Sequence, residues 1–169
     1  MEYENNLNVT STAFESDGAI PVRYTGYGED VSPALYLSDP DARAQSIAIV
    51  MDDVDHPIKP NFNHWVIWNI PVSANIPEGI PRGKTVESLG GAVQGRAYGK
   101  HRYRGPKPPF NWTHRYAFHV YVLNCKLDLD SNTKKTGLLA AMEGHVIQYG
   151  SLCGRYGRNT STAVTGGGA

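Results

Sequence analysis

The segment Ser46-Ile47-Ala48-Ile49-Val50-Met51 constrains this chain more than any other. It is rich in β-branched residues, almost wholly apolar, and has no polar face to turn toward water. Such a run reads as a central strand buried on both faces of a sheet. It ends in Asp52-Asp53-Val54-Asp55, so acidic side chains stand at the mouth of a core strand.

Further strands follow from the same patterning. Leu7–Thr12 alternates apolar and polar residues, and Val31–Leu37 reads as another strand or edge segment. Trp65–Ile70, stopped by Pro71, and Tyr116–Leu123 are the clearest. The chain carries 18 glycines and 11 prolines, which suits many short strands and structured loops and argues against a helical bundle. Between Ile76 and Tyr103 the sequence reads as loop, long enough to be functional or pinned. One helix is expected from Thr136 to Tyr149, with Leu138, Leu139, Met142, Val146 and Tyr149 on one face and Gly150 beyond its end. At 169 residues, residues 1–158 are expected to form a single domain able to bury roughly 70% of the unfolded chain's surface. Residues 159–169 are expected to be a flexible tail.

Charge and composition exclude several classes. Sixteen basic and sixteen acidic residues leave no net charge, without the basic excess that nucleic-acid binding usually brings. No apolar run approaches the ~20 residues of a membrane span, and the polar, acidic start does not resemble a signal peptide. No lipidation motif or basic amphipathic helix is present. The expectation is a cytoplasmic protein. Cys125 and Cys153 stand far apart, in no metal-ligand or redox spacing, and read as buried free thiols.

Three segments carry uncommon residue combinations at strand ends, where a rigid sheet can hold them. They are Asp53-Val54-Asp55-His56-Pro57, then Asn63-His64-Trp65, then Gly105-Pro106-Lys107-Pro108-Pro109 leading through Phe110-Asn111-Trp112-Thr113 into His114-Arg115-Tyr116. Singly, each has an ordinary reading. An aspartate after a strand caps a loop by accepting backbone N–H groups. A histidine before tryptophan is a satisfied, partly buried side chain, and a proline run is a stiff connector.

Together they carry more. Asp53-x-Asp55-x-Pro57, His64-Trp65, Gly105-Pro106-x-Pro108-Pro109 and His114-Arg115-Tyr116, in this order, resemble the signature of the phosphatidylethanolamine-binding protein family, which includes Raf kinase inhibitor proteins and a bacterial and archaeal branch. Outside the site, Ser11-x-Ala13-Phe14, Val31-Ser32-Pro33, Asn69-Ile70-Pro71, Glu143-Gly144-His145 and Leu152-x-Gly154-x-Tyr156 are similar to that branch, so the likeness runs from about Ser11 to Arg158. The resemblance implies a mainly β fold: two antiparallel sheets with Greek-key topology, a C-terminal helix and long structured loops. It implies a pocket walled by Asp53, Asp55, Pro57, His64, Gly105, Pro106, His114 and Tyr116, and a cis peptide before Pro57. It also implies a small anionic ligand such as phosphate or a phosphoethanolamine head group. Val54 and His56 depart from the family's usual Asp-Pro-Asp-Ala-Pro, and the Phe110–Thr113 segment is bulkier than usual. Both departures bear on pocket size.

These residue types suit an anion. His64, His114 and Tyr116 can donate hydrogen bonds, as can backbone N–H groups near Gly105. Asp53 can orient a histidine, and Arg102, Arg104 and Lys107 can form a positive rim. No catalytic residue, metal site or cofactor is assigned. A phosphoester hydrolase is the enzymatic rival, but His-Glu-x-x-His, Cys-x-x-Cys and Gly-x-Ser-x-Gly are all absent. The other rival is a protein inhibitor of a kinase or serine protease acting through pocket rim and loops. The aromatic residues would serve a homodimer face as well as a core.

Overall fold

A computed structural model describes residues 2–158; the expected tail, 159–169, lies outside the described residues. In chain order the elements are β1 (Val9–Thr10), β2 (Leu35–Leu37), β3 (Ser46–Asp53), β4 (Phe62–Ile70), β5 (Asn75–Ile76), β6 (Thr85–Val86), β7 (Ala92–Gln94), β8 (His114–Leu123), α1 (Lys135–Met142) and β9 (Val146–Tyr156). They build a three-stranded sheet, β1-β2-β5, and a six-stranded sheet, β6-β7-β4-β3-β8-β9, with antiparallel pairing throughout. Within the larger sheet β3, β4, β7 and β8 lie in the spatial order β8-β3-β4-β7, a Greek-key arrangement.

The apolar run that opened the sequence is the centre of that sheet. All eight residues of β3 are buried, between β4 on one side and β8 on the other. Its pleat sends Ile47, Ile49 and Met51 into the layer shared with the small sheet. Ala48 and Val50 face the opposite layer, under α1, with Val66, Trp68, Leu138 and Met142. Each large apolar side chain so buried contributes about 1.5–3 kcal/mol relative to exposure. A strand with two apolar faces is thus used on both.

The C-terminal region departs from expectation. The helix has eight residues, Lys135–Met142, stops well short of the expected end at Tyr149, and is not the last element. Gly144 turns the chain at φ +81°, and β9 then pairs along the whole of β8, from Leu123↔Val146 to His114↔Tyr156, with Ile147 left out of register at an irregularity. Without them one edge of β8 would expose a row of unpaired N–H and C=O groups. Val146 and Tyr149 do pack with Leu138, Leu139 and Met142, but from a strand, so the apparent helical stripe is shared between two elements. Gly150 lies inside β9, where a Cβ would collide with the Leu7 carbonyl.

Other expectations shift less. Leu7–Thr12 forms only a two-residue strand, and 76–103 contains β5's end, β6 and β7 among its loops. Cys125 and Cys153 are free, but only half-buried. The peptide before Pro57 is trans, as are all peptides of the described residues. The loop after β3 instead turns on the backbone N–H groups of Ile58 and Lys59, which donate to His56 Nδ1 at 3.3 and 3.1 Å, and on Asn61 at φ +61°.

Candidate functional site

β3, β4 and β8 deliver their polar residues to one end of the inter-sheet layer. Asp53 closes β3 opposite Tyr116 of β8, His64 enters from β4, and His114 opens β8. Asp53, His64, His114 and Tyr116 are all buried. With Pro57, Gly105, Arg104, Lys107 and Tyr98 they line a cavity of about 260 Å³.

The imidazoles are held alike. His114 Nδ1–H donates to Asp53 Oδ2 at 2.8 Å. His64 Nδ1–H donates to the Arg104 carbonyl at 2.8 Å. Carboxylate and carbonyl oxygens only accept, so the ring proton sits on Nδ1 in both neutral rings. Each Nε2 is then a lone-pair acceptor when the ring is neutral and a donor once it is protonated. His64 Nε2 has the Tyr98 hydroxyl at 3.5 Å, a long contact; His114 Nε2 has no hydrogen-bond partner among the described residues.

Burial sets the protonation states. It lowers the His64 pKa, opposed by the hydrogen bond to the Arg104 carbonyl and by the Asp53 charge. Burial, then the Asp53 charge, pushes the Tyr116 phenol far up, and burial raises Tyr98. Both therefore stay O–H donors through the neutral range. The His64 and Tyr116 rings meet edge to face, centroids 5.5 Å apart.

Two expected wall residues are elsewhere. Asp55 turns outward to Arg115, accepting its backbone N–H and Nε–H at 2.9 Å and Nη2–H at 2.8 Å; Arg115 holds its carboxyl below the usual range. Pro106 does not line the cavity, and its carbonyl accepts the Gly26 N–H. The Gly105 N–H, expected to face a ligand, donates instead to Asp30 Oδ1 at 2.7 Å. Asp53 also fills the ordinary role of a loop cap, its Oδ1 accepting the Asp55 N–H at 3.1 Å.

Arg104 and Lys107 do line the cavity, whereas Arg102 pairs with Asp30 at 2.7 Å. His56 reaches the cavity wall and stacks on Phe62. Phe110 and Trp112 stay outside it, mostly exposed, so their bulk does not fill the pocket. Tyr98 and Asp30 were missed. Tyr98-Gly99 is a turn signal inside the long loop, where Tyr98 sits at φ +52°. Asp30 carries no local signal at all.

A larger cavity, about 620 Å³, lies across the sheet beside α1 and contains Asp52, His119, Lys135 and Tyr149. There the buried carboxylate of Asp52 already has Lys135 Nζ at 2.6 Å and Asn63 Nδ2 at 3.2 Å. In the smaller cavity the imidazole Nε2 atoms have at most a long contact, which makes it the candidate site; the two buried side-chain atoms without a partner among the described residues, Asn63 Oδ1 and Trp68 Nε1, line neither cavity.

The fold is thus mainly β, two antiparallel sheets with Greek-key order in the larger one, and a cavity lined by Asp53, His64, His114 and Tyr116 lies at one end. The chain belongs to the phosphatidylethanolamine-binding protein family, whose model matches residues 10–157. It is 43% identical over 150 residues to a UPF0098 protein of Pyrococcus abyssi, covering 88% of this chain and 84% of that one. Among solved structures it is similar to a Chlamydia trachomatis protein described as a homologue of the same family, with TM-score 0.79 and 33% identity over 92% of this chain and 99% of that one. It is also similar to E. coli YbcL, described as a member of the mammalian family, with TM-score 0.80 and 26% identity over 89% and 98% of the two chains. No helix among the described residues is long and apolar enough to cross a membrane.

Proposed function

We propose that the cavity binds a small anion of the phosphate-monoester type, such as phosphoethanolamine, and that binding is coupled to protonation of its histidines. The observation that carries this reading is the shared tethering of His64 and His114. Each ring is fixed by Nδ1 on an oxygen acceptor, so each can present Nε2 to the cavity. Arg104 and Lys107 supply positive charge, and Tyr116 and Tyr98 supply neutral O–H donors.

The proton balance is specific. A phosphate monoester has its second pKa near 6 and carries about −1.5 to −2 charges at neutral pH. A dianion needs protonated imidazoles, whose Nε2–H groups donate to it. A monoanion can instead donate its own O–H to a neutral Nε2. Affinity for the dianion is then expected to rise about tenfold per pH unit as pH falls toward the histidine pKa, for each proton taken up.

Calorimetry with phosphoethanolamine and with inorganic phosphate, at about pH 5.5 and about pH 8, tests this. Tighter binding at the lower pH is expected. Equal affinity at both would remove the histidine coupling, and no binding at either would remove the anion site. This reading is of a binding protein, and release of free phosphate from phosphoethanolamine would replace it with hydrolysis.

A second reading, a protein inhibitor of a kinase or serine protease, has one observation in its favour. Ile58, Phe110 and Trp112, which are 82%, 69% and 48% exposed, stand on the segments that lead into and out of the pocket. Such a set of exposed apolar side chains suits a protein partner. A panel of serine proteases and kinases assayed at micromolar protein tests it, and no inhibition removes it for those enzymes.

A further inference from the structure

We propose that Asp30 is a positioning residue of the pocket, acting on His64 through the Arg104–Gly105 peptide. The inference rests on the reading of the cavity as an anion site. The Arg104 carbonyl and the Gly105 N–H belong to one planar amide. The carbonyl accepts the His64 Nδ1–H at 2.8 Å, and the N–H of the same amide donates to Asp30 Oδ1 at 2.7 Å. Asp30 and His64 thus hold the amide from its two ends, 34 residues apart in sequence.

The arrangement is built. Asp30 sits at φ +58°, a left-handed conformation that aspartate tolerates better than most residues. Its other oxygen, Oδ2, accepts Arg102 Nη2–H at 2.7 Å, and both side chains are largely buried, 14% and 20% exposed. Gly105 is packed so closely that a Cβ would strike the Tyr24 carbonyl, and Asp30 Oδ1 lies on the same side. Tyr103, two residues before Gly105, donates its hydroxyl to that Tyr24 carbonyl at 2.6 Å. The amide cannot rotate without breaking this set.

The chemistry follows from polarisation. A hydrogen bond to a charged acceptor is roughly twice as strong as a neutral one, and it makes the carbonyl of the same amide a better acceptor. That carbonyl fixes the His64 proton on Nδ1 and gives an imidazolium at His64 a stronger partner. Asp53 does this for His114 by direct contact; Asp30 does it for His64 with one amide between. The other charged and titratable groups around His64 are Asp53 of β3, His114 and Tyr116 of β8, His56 of the loop after β3, and Tyr98, Arg104 and Lys107 of the later loops, with the Asp52 charge acting from the far face of the sheet. The Arg104 carbonyl bond is the main influence opposing the effect of burial on this ring.

The test uses the ligand-free full chain, with imidazole nitrogens and backbone amides followed by NMR against pH. In the unaltered protein His64 is expected as the Nδ1–H tautomer, and the Gly105 amide proton is expected to shift with the same midpoint as the His64 ring. Asp30→Asn is expected to weaken His64 protonation about two- to threefold, while Arg102→Gln, which leaves the Gly105 bond in place, changes it less. An unchanged His64 titration in folded Asp30→Asn would overturn the proposal, as would equal shifts in the two variants, which would reduce Asp30 to a loop anchor. If Asp30→Asn does not fold, the unaltered chain still decides, because a Gly105 amide indifferent to the His64 titration overturns it. Phosphate binding is measured separately, so the anion reading and the role of Asp30 can fail independently.

Discussion

Asp52 and Asp53 are consecutive in β3, and the strand's pleat places their carboxylates on opposite faces of the six-stranded sheet. Asp53 meets His114 at 2.8 Å in the end cavity. Asp52 meets Lys135 at 2.6 Å on the helix side, with His119 Nε2 at 3.9 Å. A strand buried on both faces therefore ends with a buried acid on each, and each is matched to a different partner.

Removing the first partner should cost both stability and binding. Asp53→Ala takes away the acceptor of a buried His114 N–H and the cap on the Asp55 N–H. Urea denaturation is expected to show a loss of about 1–3 kcal/mol, with anion affinity near pH 6 lowered. A variant as stable as the parent would mean that the pair is not structurally important.

Across the sheet, Lys135→Met strands the Asp52 carboxylate with Asn63 as its remaining donor. The expected cost is about 1–3 kcal/mol, less than for a fully buried pair because a quarter of the lysine side chain remains in solvent. Adding Asp52→Asn should recover much of it. Strictly additive losses in the double-mutant cycle would contradict direct coupling.

The pH dependence has a definite sign. His64 and His119 both have pKa values lowered by burial. The unfolded chain takes up their protons at about pH 6.5, whereas the folded chain resists until lower pH. Stability contributed by the neutral rings is therefore present above about pH 6.5 and lost as pH falls from there toward the folded values. His64→Gln should flatten part of this slope in urea midpoints taken between about pH 7.5 and pH 5. Saturating phosphate should flatten it too, if the anion binds the protonated ring. A midpoint that rises on acidification would contradict the assignment.

Asp55 is an expected wall residue that the candidate cavity leaves out. Its carboxylate is spent on exposed Arg115 and does not reach the cavity. Asp55→Ala is accordingly expected to leave anion affinity within about twofold of the parent, as befits a surface ion pair. A large loss in calorimetry would show that the loop it anchors shapes the pocket.

Ser46–Met51 announced a two-faced core strand by composition alone, and its position between β4 and β8 follows from that character. The polar residues at its end, at His64 and at His114–Tyr116 stood out beside predicted strands, but singly each had an ordinary reading, and only the family resemblance joined them into one site. β9 was not legible. Leu138, Leu139, Met142, Val146 and Tyr149 have helical spacing, and only the vacant edge of β8 decides that the last two belong to a strand.

What the sequence by itself determined is the set of strands with strong local patterning and the chemical identity of the groups at their ends. The family resemblance had put Asp53, Pro57, His64, Gly105, His114 and Tyr116 in one pocket, and the tertiary structure decided that Asp55 and Pro106 do not share it. Asp55 and Asp53 are two residues apart, yet one faces Arg115 in solvent and the other His114 in the interior. Asp30 reaches His64 only through an amide brought in from residues 104 and 105. Local propensity is written in neighbouring residues, whereas hydrogen bonds between distant loops are set by where the packed sheets bring them.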